Sequence, residues 1–274
     1  MDFFTASDGA KIAYRDTGTG PIFLCLSGLT RNVDDFNYMI DQFPNARFIA
    51  MDYRGRGQSE WSGPDSYTVP REAKDALELL DHLGIDKAPI IGTSRGGLIG
   101  MFLAATAKDR LAGLFLNDVG PELDAGGLTA ICDYIGRNPK FKNHAGMAAK
   151  MPDMMVGYEN VPATRWMSEV QHHYHQTDAG LVIKYDPALR QPVLDTFQAE
   201  APDLWPLFHA LADLPIGLVR GENSDLLSET STDKMRALRP DMVYELVKDR
   251  PHIPFLDEPE SLRALNTWME HVYG

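Results

Sequence analysis

Ile90-Ile91-Gly92-Thr93-Ser94-Arg95-Gly96-Gly97 is the stretch on which the reading of this chain turns. An apolar run, 88–91, enters a G-x-S-x-G pattern that leads straight into a helical pattern over 95–107. A serine on a tight strand-to-helix turn has its hydroxyl raised above the sheet, at the positive end of the helix. The chain is crowded two residues to either side of such a turn, and Gly92 and Gly96, lacking a β-carbon, can pass close by. Gly97 lets the helix approach the sheet. The simpler alternative is a glycine-rich turn in which Ser94 only caps the helix. A serine hydroxyl is a weak nucleophile until a base takes its proton, so the first reading requires partners elsewhere in the chain.

Working outward, short apolar runs alternate with helix-length patterns. Residues 3–6 and 11–16 read as a hairpin with Asp8-Gly9 at its turn. Runs at 22–26 (IFLCL), 47–51 (RFIAM), 88–91 and 111–117 (LAGLFLN) are continuous enough for strands covered on both faces. Helical patterns lie between them. The one over 33–42 follows a plausible N-cap, Asn32. The one over 70–83 opens on proline, carries Ala73, Ala76, Leu77 and Leu80 on one face and stops at Gly84. Strand–helix alternation predicts a mostly parallel sheet with helices on both faces. It breaks after Pro121 and resumes with a strand at 216–220, a helix at 231–238, a strand at 242–247 and a helix at 260–273. We expect an α/β core of residues 1–121 and 203–274, interrupted over 122–202 by a mostly helical insertion without clear strands.

The 274 residues include 26 Lys and Arg against 39 Asp and Glu, a formal charge of −13. Folding a chain of this length buries about three quarters of its surface and leaves roughly 12,000 Å² exposed. The acidic balance argues against nucleic acid and anionic membranes as partners, both of which call for concentrated positive charge. Two cysteines, Cys25 and Cys132, make no disulfide framework. No basic, apolar leader opens the chain, and the longest weakly polar run, 96–107, falls well short of the roughly 20 residues a membrane span requires. A cytoplasmic protein with a small-molecule substrate is expected; a homodimer is left open.

The serine turn and the pattern around it resemble the α/β-hydrolase fold, in particular its single-chain members with a helical cap. The resemblance covers nearly the whole chain and is strongest over 20–120 and 215–260. It implies an eight-stranded sheet, with 122–202 as the cap. It also implies a Ser, Asp or Glu, His order along the chain. Arg250-Pro251-His252-Ile253-Pro254-Phe255-Leu256-Asp257-Glu258-Pro259 resembles the family's terminal H-x-P-x-L-x-E-P motif, which makes His252 the base. Gly221-Glu222-Asn223-Ser224-Asp225 resembles its G-x-x-S-D segment, which makes Asp225 the acid. Asp118 competes, because some members carry the acid after the preceding strand; otherwise it is a loop carboxylate facing Arg95. Glu222 is a weaker rival. The oxyanion donors implied are the backbone N–H groups of Arg95 and Leu29.

The chain departs from the family pattern in two places. Ser27-Gly28 stands where His-Gly is usual, and Pro251 where a glycine usually precedes the histidine. Asp52-Tyr53-Arg54-Gly55-Arg56-Gly57-Gln58-Ser59 matches D-x-R-G-x-G-x-S and reads as a structural loop. A serine, rather than a carboxylate, at the turn excludes haloalkane dehalogenase and epoxide hydrolase chemistry.

The expected activity is hydrolysis of a small carboxylic ester or lactone through a Ser94–His252–Asp225 acyl-enzyme. A carbon–carbon hydrolase, an amidase and a receptor without turnover are the alternatives. Arg31, Trp166 and Trp205 are candidate substrate contacts, and each has a structural reading: Arg31 paired with a nearby acid, the tryptophans holding cap to core. The cluster Gln171-His172-His173-Tyr174-His175 lacks the ligand spacing of a metal site and reads as a solvated helix. No metal or cofactor is expected.

Overall fold

The computed structural model describes residues 1–199 and 201–274. The opening hairpin pairs β1 (Asp2–Thr5) with β2 (Lys11–Gly18) in antiparallel register. Then come β3 (Ile22–Leu26), the short helix α1 (Asn37–Ile40), β4 (Arg47–Met51), α2 (Val69–His82), β5 (Ala88–Thr93), α3 (Arg95–Thr106) and β6 (Leu111–Asn117). The helical pattern predicted over 33–42 divides into a 3-10 turn at Val33–Phe36 followed by α1. Asn32 caps it as expected, its side chain accepting from the Asp34 N–H.

The segment between β6 and the next sheet strand holds α4 (Ala125–Tyr134), α5 (His144–Ala148), α6 (Met151–Met154) and α7 (Ala163–His173). It continues with β7 (Tyr174–Thr177), β8 (Gly180–Ile183), α8 (Arg190–Gln198) and α9 (Trp205–His209). The chain closes with β9 (Ile216–Gly221), α10 (Glu229–Leu238), β10 (Val243–Val247) and α11 (Pro259–Tyr273). The hairpin β7–β8 corrects the expectation of a segment without strands. Its first strand, Tyr-His-Gln-Thr, is mostly exposed and carries no apolar alternation to mark it.

The eight-stranded sheet runs in the order β1-β2-β4-β3-β5-β6-β9-β10, parallel from β4 onward. Its central strands are covered on both faces, which is why they read as unbroken apolar runs. Along β3, Leu24 and Leu26 face a core shared with Ala76 and Leu79 of α2 and Ile99 of α3. Phe23 and Cys25 face the opposite core, with Phe36, Leu265 and Trp268. The folded surface, 11979 Å², matches the size expected for the chain length. Among the described residues no helix is long and apolar enough to cross a membrane.

Candidate active site

β5 ends at Thr93 and α3 starts at Arg95, so the whole turn falls on Ser94. Its φ of 49° and ψ of −109° lie where side-chain-bearing residues are rarely found. Such backbones cost about 1–3 kcal/mol and persist only where the surroundings over-determine them. Here the Ser94 N–H donates to the Asn117 carbonyl (3.1 Å), and the Ser94 carbonyl accepts from Gly97 (2.9 Å) and Leu98 (3.2 Å). The predicted crowding is present. A β-carbon on Gly92 would lie 2.6 Å from Gly96 backbone atoms, and one on Gly96 would lie 2.0 Å from the Leu26 carbonyl oxygen.

The loop after β10 brings His252 over the turn. Its Nε2 lies 3.0 Å from Ser94 Oγ, and its Nδ1 lies 2.7 Å from Asp118 Oδ2. An ionised carboxylate only accepts, so Nδ1 carries the proton in this bond and Nε2 is left free to accept from the serine hydroxyl. Asp118 is fully buried immediately past β6, its backbone turned by a φ of 54°. Its Oδ1 accepts from the Gly221 N–H (2.8 Å), and its Oδ2 also accepts from Ser224 Oγ (2.6 Å). Buried at no exposure, the carboxylate thus has three donors to compensate for lost water.

The acid bonded to His252 is therefore Asp118, and the expectation for Asp225 is corrected. After β9 the chain makes a tight turn, Ser224 N–H to Gly221 carbonyl (3.0 Å). The turn sends the Ser224 hydroxyl inward to Asp118 and leaves the Asp225 side chain exposed. The Asp225 carbonyl accepts the Gly127 N–H (3.0 Å), so this residue anchors the start of α4. A register argument points to Asp118: Thr93 of β5 pairs with Asn117 of β6, so Ser94 and Asp118 leave neighbouring strands at the same level. Glu222 lies exposed, its carboxylate 3.4 Å from the Asp249 N–H.

The two residues expected to supply oxyanion donors are Leu29 and Arg95. Leu29 sits in the loop after β3, and Arg95 is the first residue of α3, where backbone N–H groups have no partner within the helix. Neither N–H has an acceptor among the described residues. The two backbones are tied by a Gly96 N–H to Ser27 carbonyl bond (3.1 Å). The glycine of the Ser27-Gly28 pair keeps the loop close, since a β-carbon there would meet Arg31 Cγ at 3.1 Å. The Arg95 side chain faces neither Asp118 nor Ser94: its Nε donates to Glu72 Oε2 (2.5 Å) and its Nη2 to the Tyr67 carbonyl (3.1 Å).

Arg31 takes its structural reading. Its Nη1 lies 2.7 Å from His173 Nε2, 3.3 Å from Glu169 Oε2 and 3.7 Å from Asp35 Oδ1. Burial raises the Asp35 carboxyl, but Arg31 and His173 outweigh it and hold the group below its ordinary value. With two carboxylates on one guanidinium, no charge is left over for a substrate carboxylate. His173 is thus half-buried and paired at a junction between α7 and the loop after β3, not solvated. Trp166 is buried against Tyr158 and Phe255 (ring centroids 5.5 and 6.4 Å), and Trp205 donates to Glu122 while packing edge-on to Phe208. Both hold the β6–β9 segment to its surroundings. The cavity bordered by Arg31, Thr93, Asn117 and Glu169 has about 20 Å³, room for a single water. Among the described residues no three His, Cys, Asp or Glu side chains converge as a metal site.

Removing Arg31 leaves Asp35 and Glu169 close together with only His173 against them. Arg31→Met is expected to destabilise the fold by about 3 kcal/mol, read by urea denaturation. A substrate clamp would instead raise KM and leave stability unchanged.

A sheet of this order, with the serine turn after β5 and a histidine after its last strand, is the fold of one hydrolase class. The chain matches the family model described as the alpha/beta hydrolase fold over residues 21–259, and it belongs to that family. It is 31% identical over 266 residues to a 3-hydroxybutyrate-oligomer hydrolase of Cupriavidus necator, covering 92% of this chain and 90% of that one. It is 26% identical to a 2-(acetamidomethylene)succinate hydrolase of Mesorhizobium japonicum, over 93% and 90% of the two chains. Among solved structures, an alpha/beta hydrolase from Novosphingobium aromaticivorans superposes with a TM-score of 0.89 at 33% identity, covering 98% of this chain and 97% of that one. This chain is an α/β-hydrolase enzyme.

Proposed function

We propose that this hydrolase cleaves a small-molecule carboxylic ester, linear or cyclic, through an acyl-enzyme on Ser94. The observation that carries the reading is the unbroken hydrogen-bonded chain from Ser94 Oγ through His252 to buried Asp118. Ser94 Oγ attacks the ester carbonyl while its proton passes to His252 Nε2. Asp118 keeps the ring in the required tautomer and stabilises the imidazolium. The developing oxyanion is received by the Leu29 and Arg95 N–H groups. His252 returns the proton to the departing alcohol, then takes one from the water that attacks the acyl group. Residues 122–202 serve as the cap over this site.

Two observations favour an ester over a carbon–carbon bond. The relative in Cupriavidus necator is named for hydrolysis of 3-hydroxybutyrate oligomers, which are chains of ester links. Arg31, the group nearest to hand for the carboxylate of a ring-cleavage product, is already neutralised by Asp35 and Glu169.

The test is fluorophosphonate labelling with intact-mass readout, followed by a panel of short esters, lactones and 3-hydroxybutyrate oligomers. Wild type is expected to gain one label, and Ser94→Ala and His252→Ala none. An unlabelled wild type, or Ser94→Ala that hydrolyses the panel at the wild-type rate, overturns the proposal.

A further inference from the structure

The loop over 52–59 and helix α2 contain a buried charged unit that the proposed chemistry does not use. Glu72, fully buried on α2, faces two arginines. Its Oε1 lies 2.8 Å from Arg56 Nη1, and its Oε2 accepts from Arg95 Nε at 2.5 Å. Arg56 is also fully buried, and its plane lies over the rings of Tyr67 and Tyr53, with distances of 5.2 and 5.6 Å. Placing an Arg–Glu–Arg unit out of water gives little or no stability compared with apolar side chains of similar size. Here the unit also leaves Arg56 Nη2 buried without an acceptor among the described residues. A buried donor left unpaired calls for a reason.

The far ends of the unit supply one. Arg56 Nε donates to the carbonyl of Leu29 (3.0 Å), and its Nη1 donates to the Arg54 carbonyl (2.7 Å). Arg95, at the other end, is itself the first residue of α3. Glu72 thus joins, through Arg56, the two residues proposed to give their backbone N–H groups to the oxyanion, one on the loop after β3 and the other at the start of α3. Resting on the function proposed above, we infer that Arg56 and Glu72 are positioning residues that hold the oxyanion donors of Leu29 and Arg95 at a fixed separation.

The physical case has two parts. Preorganised donors stabilise an oxyanion only if they are already at the right spacing when charge develops. Leu29 lies in a loop without regular structure and has no strand neighbour to set its place, so Arg56 supplies the restraint. The restraint at the other end is the Arg95 guanidinium, held by Glu72 and by the Tyr67 carbonyl (3.1 Å). The Gly57 N–H bond to the Lys184 carbonyl (2.9 Å) and the Asp186 N–H bond to the Gly55 carbonyl (2.7 Å) brace this loop from the opposite side.

Arg95→Met cuts the tie but keeps the backbone donor, and Glu72 retains Arg56 as a counter-charge, so the protein is expected to fold with a lowered melting temperature. Glu72→Gln removes the shared charge. Arg71→Met, on the same helix and paired with Asp75 and Glu78, controls for generic loss of an ion pair. Each variant is measured for kcat and KM on the best ester of the panel, for melting temperature, and for inhibition by an aryl trifluoromethyl ketone. Addition of Ser94 Oγ to that ketone places an oxyanion where the reaction makes one.

Arg95→Met is expected to lower kcat about tenfold with KM unchanged, and to weaken trifluoromethyl ketone binding by the same factor. Arg95→Lys should restore part of both, and Arg71→Met should change neither. Wild-type kcat and inhibitor affinity in Arg95→Met, or a fall in melting temperature alone, overturns the inference. A wild type that forms no ketone adduct and takes no fluorophosphonate overturns the proposed function as well. If Glu72→Gln does not fold, Arg95→Met alone decides.

Discussion

Asp118→Asn is expected to lower kcat for ester hydrolysis by about 10⁴-fold, whereas Asp225→Asn stays within about twofold of wild type. The first magnitude is what replacing the acid costs in a serine–histidine–aspartate system when geometry is kept but the wrong histidine tautomer is stabilised. Asparagine is nearly isosteric and tolerates the φ of 54° at this position. Its carbonyl can still accept from Gly221, so the fold survives. Its amide then faces His252 Nδ1 as a donor, and the ring responds by placing its proton on Nε2. That nitrogen can no longer accept from Ser94. Asp225 is exposed and contributes its carbonyl, not its carboxylate, so its substitution touches nothing in the relay. Steady-state rates for both variants, with circular dichroism to confirm folding, check the pair. A large loss in Asp225→Asn with an active Asp118→Asn would reverse the assignment.

Gly96→Ala is expected to cost at least about 3 kcal/mol of folding stability. The new methyl would sit 2.0 Å from the Leu26 carbonyl oxygen and 2.6 Å from its carbon. Both are backbone atoms of a central strand, so no rotamer change relieves the clash. Relief requires α3 to withdraw from β3, and that breaks the Gly96 N–H bond to Ser27 and moves the serine turn with it. Gly126 on α4 is the contrast. A methyl there meets only the Asp225 carbonyl at 3.7 Å, and alanine favours a helix over glycine by up to about 1 kcal/mol. Chemical denaturation of the two variants should move in opposite directions. Equal, small effects would show that the turn is looser than its contacts indicate.

The parallel core was legible because each central strand is buried on both faces and bounded by turns, so apolar runs at 22–26, 47–51 and 111–117 coincide with β3, β4 and β6. Ser94 and His252 were legible because their surroundings demand particular residues: glycines where the chain is crowded, and a loop after the last strand. From the sequence Asp118 is only a competitor. Two strand ends can offer a carboxylate to the histidine. The choice lies in one backbone turn, Gly221 to Ser224, which aims a serine inward and an aspartate outward. In the hairpin β7–β8 only β8 is apolar, and the polar, mostly exposed β7 hid the pair, although Asp178-Ala179-Gly180, with Gly180 at a φ of 130°, carried its turn signal. The burial of Arg56 and Glu72 and the pairing of His173 were hidden for a different reason. Their partners are distant in sequence, 138 residues apart for His173 and Asp35, and a charged residue reads as solvated until its counter-charge is found.

Ser94, Asp118 and His252 all lie outside the stretch from 122 to 202, and the chain leaves for that stretch only a few residues after Asp118. The reactive groups and the proposed cover are therefore separate stretches of the chain, and exchanging the cover between relatives is expected to leave the reactive groups in place. A donor segment would need to reproduce the bonds that tie this stretch to the core, backbone pairs such as Gly57–Lys184 and Asp186–Gly55 and, among the side-chain contacts, three in particular. These are a hydroxyl in the place of Tyr158, bonded to the Ile253 carbonyl at 2.7 Å, and a cation in the place of Arg165, against Asp257 at 3.2 Å. The third is an anion in the place of Glu169, against Arg31. Sequence change confined to this stretch leaves Ser94, Asp118 and His252 themselves unaltered, so substrate range can diverge there.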